Sequence, residues 1–400
     1  MRKKWNVRKI WKATIAGITS LCVLLITILF FVSGGFMKQS YLEPWSKDYA
    51  AQFDDPRVRL AANGLLAASN HNMQPWKIKL DSTNAMVFYL YADSSRLTPA
   101  VDPYARQFMI SQGTFMEYVA VAGKNQGFQT EIQLFPYGDY DETKLKNSID
   151  QLPVAKITLT KSSFATDSLY DSIFLPDTNR NEYLPDKLSV TQKNALIALC
   201  NTEPIAIQIY EDAENRNRIG EFALQSALIE AETNRVMEES SLIFRSNEYQ
   251  KNQYRYGYSV EGQGISGFTK HIIQGLVTLF PSMNTGKSAS QNMIRSTKTS
   301  IDNTPAYALI VSDGNTRKEQ VKSGMLYSRM VLTAHTLGLT VQPLSQVLEE
   351  YPEMQVPYDK FRQAYAPNNG TVQMLIRVGI PTKPIPQSLR QDVMSFVETQ

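Results

Sequence analysis

Ser69, Asn70, His71, Asn72 and Gln74 crowd into the eight residues SNHNMQPW (69–76), directly after the apolar run LAANGLLAA. Neutral amides and hydroxyls present donors and acceptors together without formal charge. That set suits a planar heteroaromatic ring with both kinds of edge group, such as a flavin or a base, whereas a charged ligand would call for counter-charges. The same residues also suit a helix C-terminus followed by a turn, and the residues themselves leave both readings open. Other chemistries find little support. His71, His271 and His335 are the only histidines, and none has the HxxxH spacing of a zinc hydrolase. No GxSxG, P-loop or strand-following GxGxxG is present, which argues against a serine hydrolase, a kinase and a Rossmann domain. With only Cys22 and Cys200, neither an internal disulfide of the body nor a cysteine metal cluster is expected. Cys200, in ALIALC, reads as a small buried hydrophobe.

The loop needs elements to hold it. DDPRVRLAANGLLAAS reads as a helix capped by Asp54 or Asp55, with Pro56 in its first turn. WKIKL and AMVFYLYA read as strands. VDPYARQFMISQGTFMEYVAVAGKNQG reads as one long helix, with Asp102 as N-cap, Pro103 first and Gly127 as the stop. TEIQLFPYG and AKITLTK follow as strands. The second half has a similar order: the helix LSVTQKNALIALCN, the strands AIQIYED and AYALIVSD, the long helix QVKSGMLYSRMVLTAHTLG and the strand TVQMLIRVGIP. The two long helices carry Gly113 and Gly127, and Gly324 and Gly338, with the same spacing of fourteen. That points to an internal duplication. The second half also holds an extra segment, about 235–300, containing NQYRYGYSVEGQGISGF and HIIQGLVTLF. It reads as a lid or as a decorative helical hairpin.

The net charge of the 400 residues is +3, but Arg2, Lys3, Lys4, Arg8, Lys9 and Lys12 all stand in the first twelve positions. The body is therefore near neutral, and no nucleic-acid partner is expected. Ala13–Met37 carries no charge and is long enough to span a bilayer. A cleaved signal peptide is the alternative. The basic side stays inside, so the expectation is a single-pass cell-membrane protein with a cytoplasmic N-terminus and an extracytoplasmic body.

LLAASNHNMQPWKIKL resembles the SxxNxQPW segment of the nitroreductase-like, FMN-binding superfamily, most closely its fused, duplicated Acg-like branch. RLTPAVDPYARQFMISQGTFMEYV, TNRNEY, SGMLYSRMVLTAHTLGLTVQPLSQ and GIPTKPIPQSLRQDV resemble further segments of that branch, together covering roughly 55–395. The resemblance implies an α+β fold of two fused nitroreductase-like domains in a pseudo-dimer, with mixed or antiparallel sheets flanked by helices and one N-terminal transmembrane helix ahead. The layout is a basic tail 1–12, a span 13–37, a linker 38–54, a first half 55–165 and a second half 166–400, in a chain that is monomeric as a pseudo-dimer.

It also implies one retained FMN site. The first half would supply Ser69, Asn70, Asn72, Gln74 and Pro75; the second Thr178, Asn179, Arg180, Ser345, Gln346, Ser388 and Arg390. Arg180 and Arg390, helped by Lys383, would grip the phosphate, and Asn72 and Gln74 would meet the polar edge of the ring. Tyr254, Tyr256 and Tyr258 could stack over a ligand or simply pack. The sequence departs from the family at Leu175 or Pro176, where a second phosphate arginine stands in relatives, and at CNTEPIA, which lacks the Ser-Asn-Gln set. No catalytic side chain is implied beyond the flavin, and no metal. The implied activity is FMN-dependent oxidoreduction of nitro, quinone or similar acceptors, with a membrane quinol or redox protein as donor. The alternatives are an FMN-sequestering store under a lid and a flavin-free structural module.

Overall fold

The computed structural model describes residues 7–163, 167–200 and 204–398. The first six residues of the basic tail and positions 201–203 of CNTEPIA lie outside them. Helix α1 (Val7–Ser33) is, among the described residues, the one helix long and apolar enough to cross a membrane, and nothing else in the molecule buries its apolar window.

The stretch expected as a linker is folded. Ser40–Trp45 forms a 3-10 turn, and α2 (Lys47–Ala51) follows, with Tyr41, Trp45 and Tyr49 buried. Three aromatic residues in a short segment contribute more through burial than an open tether would. Helix α3 (Pro56–Gly64) starts as expected: the Asp55 carboxylate accepts from the Arg57 N–H, and Pro56 occupies the first turn. Strands β1 (Trp76–Leu80) and β2 (Val87–Ala92) lead to the long helix α4 (Arg106–Asn125). Here the sequence reading needs correction. Asp102 does cap α4, accepting from the N–H groups of Gln107 and Phe108, but it does so across a left-handed Ala105 (φ 55°), so Pro103 lies outside the helix. Gly127 ends it with φ 79°. Strand β3 (Phe128–Leu134), α5 (Leu145–Gln151) and β4 (Ala155–Lys161) complete this part.

The second part begins with α6 (Val190–Ile197), opened by a Ser189–Gln192 capping box, and β5 (Ile205–Tyr210). Five helices then intervene: α7 (Ala213–Glu232), α8 (Asn234–Leu242), α9 (Glu248–Tyr254), α10 (Gly267–Leu279) and α11 (Gly286–Asp302). The insertion is thus wider than its expected window. Strand β6 (Ala306–Ser312), α12 (Arg317–Thr336), β7 (Thr340–Pro343), α13 (Gln355–Tyr365), β8 (Thr371–Gly379) and the short β9 (Val397–Glu398) close the chain.

The fold is mixed α+β. One sheet has the order β3-β4-β2-β1-β9 and the other β5-β6-β8-β7. Pairing is antiparallel throughout, except for the parallel β1–β9 pair. Apart from β9, both sheets run first, second, fourth, third strand, with the long helix between the second and third. Every residue of β8 is buried, as a central strand covered on both faces requires.

Helices α4 and α12 cross where Gly113 faces Gly324. A Cβ on Gly113 would stand 1.8 Å from the Val321 oxygen, and one on Gly324 1.9 Å from the Ile110 oxygen. Only glycine permits so close a backbone approach. Val393, Phe396 and Val397, next to the end of the chain, enter the core of the first part. The tail is therefore held against residues more than 300 positions earlier in the chain.

Candidate functional site

The 69–76 loop is held in an unusual backbone conformation. His71, Asn72 and Gln74 have φ of 45°, 52° and 50°. Asparagine tolerates this region, but three non-glycine residues there within four positions need strong surrounding contacts.

Those contacts come from three directions. From α4, Ser111 accepts the Asn70 N–H at 2.9 Å and donates to Asn70 Oδ1 at 3.1 Å; Trp76 Nε1 donates to the Ser111 carbonyl and Gln112 to that of Pro75. Ser69 Oγ accepts the Gln74 N–H. From the C-terminal tail, the Gln391 N–H donates to Gln74 Oε1 at 2.9 Å, while Asn72 and Gln74 both donate to the Leu389 carbonyl. From the insertion, Asn72 and Gly257 exchange two hydrogen bonds of 2.9 and 3.0 Å, and Gln74 donates to the Arg255 carbonyl at 2.9 Å. The amides expected at a ring edge are therefore engaged in stitching the loop, the tail and the insertion together.

Arg390 is the centre of this seam. It is 2 % exposed. Its guanidinium donates to Asn72 Oδ1, Ser388 Oγ and the carbonyls of Leu66, Ala67 and Leu389, and it stacks 4.6 Å from the Trp45 ring. Burial lowers its pKa to about 10, against the opposing pull of Asp177 and Tyr118. In this arrangement Arg390 is turned into the protein rather than toward an open cleft. Its Nε alone has no partner. Ser388 is likewise held inward, its carbonyl accepting from Trp45 Nε1.

Arg180 differs. Its side chain is exposed to solvent; desolvation by the surrounding protein lowers its pKa, against the opposing pull of Tyr183, Tyr327 and Tyr258. The guanidinium thus stands at the surface with these three tyrosines close by. Among the described residues its one hydrogen-bond acceptor is the Gly262 carbonyl at 3.2 Å. His71 stands near enough to feel the same charge: burial first, then Arg180, pulls its pKa down to about 4.

Asn179 positions this segment, receiving the Asn181 N–H and donating to the Lys383 carbonyl, while Thr178 lies beside Tyr327. Ser345 is engaged with Leu375, and Gln346 has a buried oxygen without a partner. Among the described residues, no hydrogen bond joins either to the loop or to Arg180. Of the three tyrosines, Tyr256 stacks under Arg96 (3.5 Å) and both Tyr254 and Tyr256 pack on Arg245, so those two clamp the insertion in place. Tyr258 donates to the Ser240 carbonyl and adjoins Arg180.

His71, Asp177, Gly262 and the Arg255–Gly257 backbone are the participants that sequence reasoning missed. His71 was visible within the motif. The insertion backbone had no signal beyond its glycines.

His71 gives a direct pH test. With its folded pKa below the unfolded value of about 6.5, the stability tied to the neutral ring is whole above about pH 6.5 and is lost as pH falls through about 4. His71→Asn, which keeps a residue tolerant of positive φ, is expected to flatten that part of the pH dependence of the melting temperature. An unchanged profile would mean that the ring is not enclosed.

No protein-family model matches the sequence, and no curated protein does either. Among solved structures, the chain is similar to the FMN-dependent nitroreductase NfnB of Mycobacterium smegmatis in complex with NADPH (14% identity, 56% of this chain and 93% of that one, TM-score 0.33). It is similar also to a nitroreductase-like family protein of Bacillus cereus (10%, 60% and 99%, TM-score 0.34) and to a nitroreductase with bound FMN from Bacteroides fragilis (9%, 56% and 96%, TM-score 0.32). Likeness this distant assigns no function, and the reading below rests on the site and the sequence motifs.

Proposed function

We propose that this chain is a membrane-anchored flavoprotein of the nitroreductase type, binding one FMN in the crevice bounded by the 69–74 loop, Thr178–Arg180 and the Tyr258–Gly262 part of the insertion. The carrying observation is Arg180, an arginine with a single carbonyl partner, set among tyrosines in an otherwise closed seam. A guanidinium with donors left over beyond one carbonyl bond, and with aromatic rings close by, fits a phosphate monoester. His71, neutral at pH 7, can accept or donate one further hydrogen bond there. The strained loop sets the shape of the crevice, and Arg390 and the tail fix the loop. When bound, FMN supplies acceptance and donation of hydride or single electrons. The chain's own residues position it and screen it.

The same reading covers the architecture. Two sheets of equal strand order, joined through the Gly113–Gly324 crossing, support two fused copies of one domain in which each half contributes to a single site. Helix α1 would anchor the assembly with its body outside the cell, where a membrane quinol or a redox protein is the fitting donor.

A second reading has its own support. Arg255 and Gly257 are hydrogen-bonded to the loop, and Tyr254 and Tyr256 are clamped by arginines. A cover held this firmly favours FMN sequestration over turnover. Titration of the full-length protein in detergent with FMN separates the readings. A bound-flavin band near ~450 nm, bleached by a quinol or NAD(P)H and restored by a nitro or quinone acceptor, is expected for an oxidoreductase. Bleaching by dithionite alone supports the store. Failure to bind FMN contradicts both.

A further inference from the structure

We propose that α10 and the turn after it (Phe268–Met283) form a membrane-contacting platform, lying in the outer interface of the bilayer against α1 and holding the cover of the crevice at the membrane surface. This rests on the reading of α1 as a membrane span.

Helix α10 is inside out. Lys270 and Gln274, one turn apart on one face, are buried. On the opposite face Phe268 and Leu279 are 57 % and 47 % exposed, and Phe280 and Met283 beyond them are 55 % and 44 % exposed. A helix in contact with water places these groups the other way round. Contiguous exposed apolar surface of this kind marks a site of contact.

The polar face has an interior reason. Glu248 accepts from Lys251 at 2.6 Å, Lys270 at 3.0 Å and the Tyr41 hydroxyl at 2.7 Å. Lys251 and Lys270 also pair with Glu261. Gln274, with its amide turned to satisfy both neighbours, bonds Glu248 and Lys251. Two lysines and two glutamates thus neutralise one another, as buried charges must.

The occupant of the apolar face is indicated by its neighbour. Gly275 lies against α1 so closely that a Cβ there would stand 2.5 Å from the Leu29 oxygen. Small residues allow such helix–helix contact in and at membranes. His271 packs its ring 5.2 Å from that of Phe30 and pairs with Ser33 Oγ at 3.2 Å. These contacts fall at the end of α1. A span of about 20 residues begun at Ala13 has crossed the hydrocarbon there. Phe30 and Phe268 stack at 6.1 Å, and Phe36 meets Tyr249. An amphipathic helix lying in that plane buries its apolar face at the headgroup boundary.

The consequence reaches the crevice. The segment that stitches to the 69–74 loop, Arg255–Gly257, runs between Lys251 and Glu261, both members of the ion network that holds α10. Bilayer contact therefore seats the cover.

The test uses the full-length chain in phosphatidylcholine–phosphatidylglycerol liposomes, with Cys22→Ser and Cys200→Ser and single nitroxides at Phe268→Cys, Leu279→Cys, Leu24→Cys and Val190→Cys. Accessibility to oxygen and to a water-soluble nickel chelate is then measured. The proposal expects oxygen-over-nickel ratios at 268 and 279 several-fold above that at 190, approaching the ratio at 24. Ratios at 268 and 279 equal to that at 190, with 24 in lipid, overturn the platform while leaving the anchor. Exclusion of both reagents at 268 and 279 shows cover by protein, such as a second copy, and also overturns it. A water-like ratio at 24 overturns the anchor and the platform together. Gly275→Leu is expected to lower the ratios at 268 and 279 without moving that at 24.

Discussion

Arg390→Ala is expected to remove about 3–5 kcal/mol of folding stability, from buried acceptors left unpaired at about 1–3 kcal/mol each and the lost packing of a large buried side chain. The guanidinium satisfies the carbonyls of Leu66, Ala67 and Leu389 together with Asn72 Oδ1. The buried carbonyls of Leu66 and Ala67 cannot turn to water when the side chain is shortened, and each unpaired buried acceptor carries its own penalty. Trp45 also loses its stacking partner. The effect is therefore on the seam: the tail should detach from the loop, and hydrogen exchange at Gln391 and Gln74 should rise. Guanidinium unfolding of the detergent-solubilised full chain gives the free energy. A loss below about 1 kcal/mol would show that Arg390 is not the seam's centre. Arg390→Lys keeps the charge but not the fork of donors, and should recover only part of the loss.

The helix crossing should be equally intolerant. Gly113→Ala and Gly324→Ala each place a methyl against a carbonyl oxygen of the partner helix, at 1.8 and 1.9 Å. Neither contact is with a flexible side-chain tip, so the helices must move apart. Overpacking in a tight core commonly costs 1–3 kcal/mol, and a backbone clash lies at or beyond the upper end, about 3 kcal/mol or more. Because both substitutions push on the same crossing, the double variant should lose less than the sum of the singles. The measurement is thermal unfolding of the two singles and the double. A melting temperature unchanged in either single variant would contradict the crossing as described.

Some of this was legible in the sequence. The fourteen-residue spacing of the glycines marked the two long helices, although it could not say that Gly113 and Gly324 meet. Local rules placed the Asp55 cap, Pro56 and the Gly127 stop, because each acts within one turn of the chain. Asp102 was recognised as a cap but misplaced by three residues, since a left-handed alanine gives no sequence signal. SNHNMQPW stood out by its residue types, but the partners of its amides were not readable. Gln74 bonds a residue 317 positions away, and Asn72 one 185 positions away, and no periodicity reports contacts at that range. Tyr41 and Trp45 looked like a linker because the segment is short, and their burial depends on the same distant tail. HIIQGLVTLF reads only as part of a lid or a decorative hairpin, because the partners that bury Lys270 and Gln274 lie outside it.

The central claim is that Arg180 receives the phosphate of a bound FMN. The most direct measurement compares the affinities of FMN and riboflavin for the full-length protein and for Arg180→Ala, by flavin fluorescence in the same detergent. A charge-assisted contact of roughly 1.5–3 kcal/mol predicts that the wild type prefers FMN by about 10- to 100-fold. The preference should vanish in Arg180→Ala, with riboflavin affinity little changed. Equal affinity for the two flavins in the wild type, or an FMN preference that survives the substitution, would contradict it.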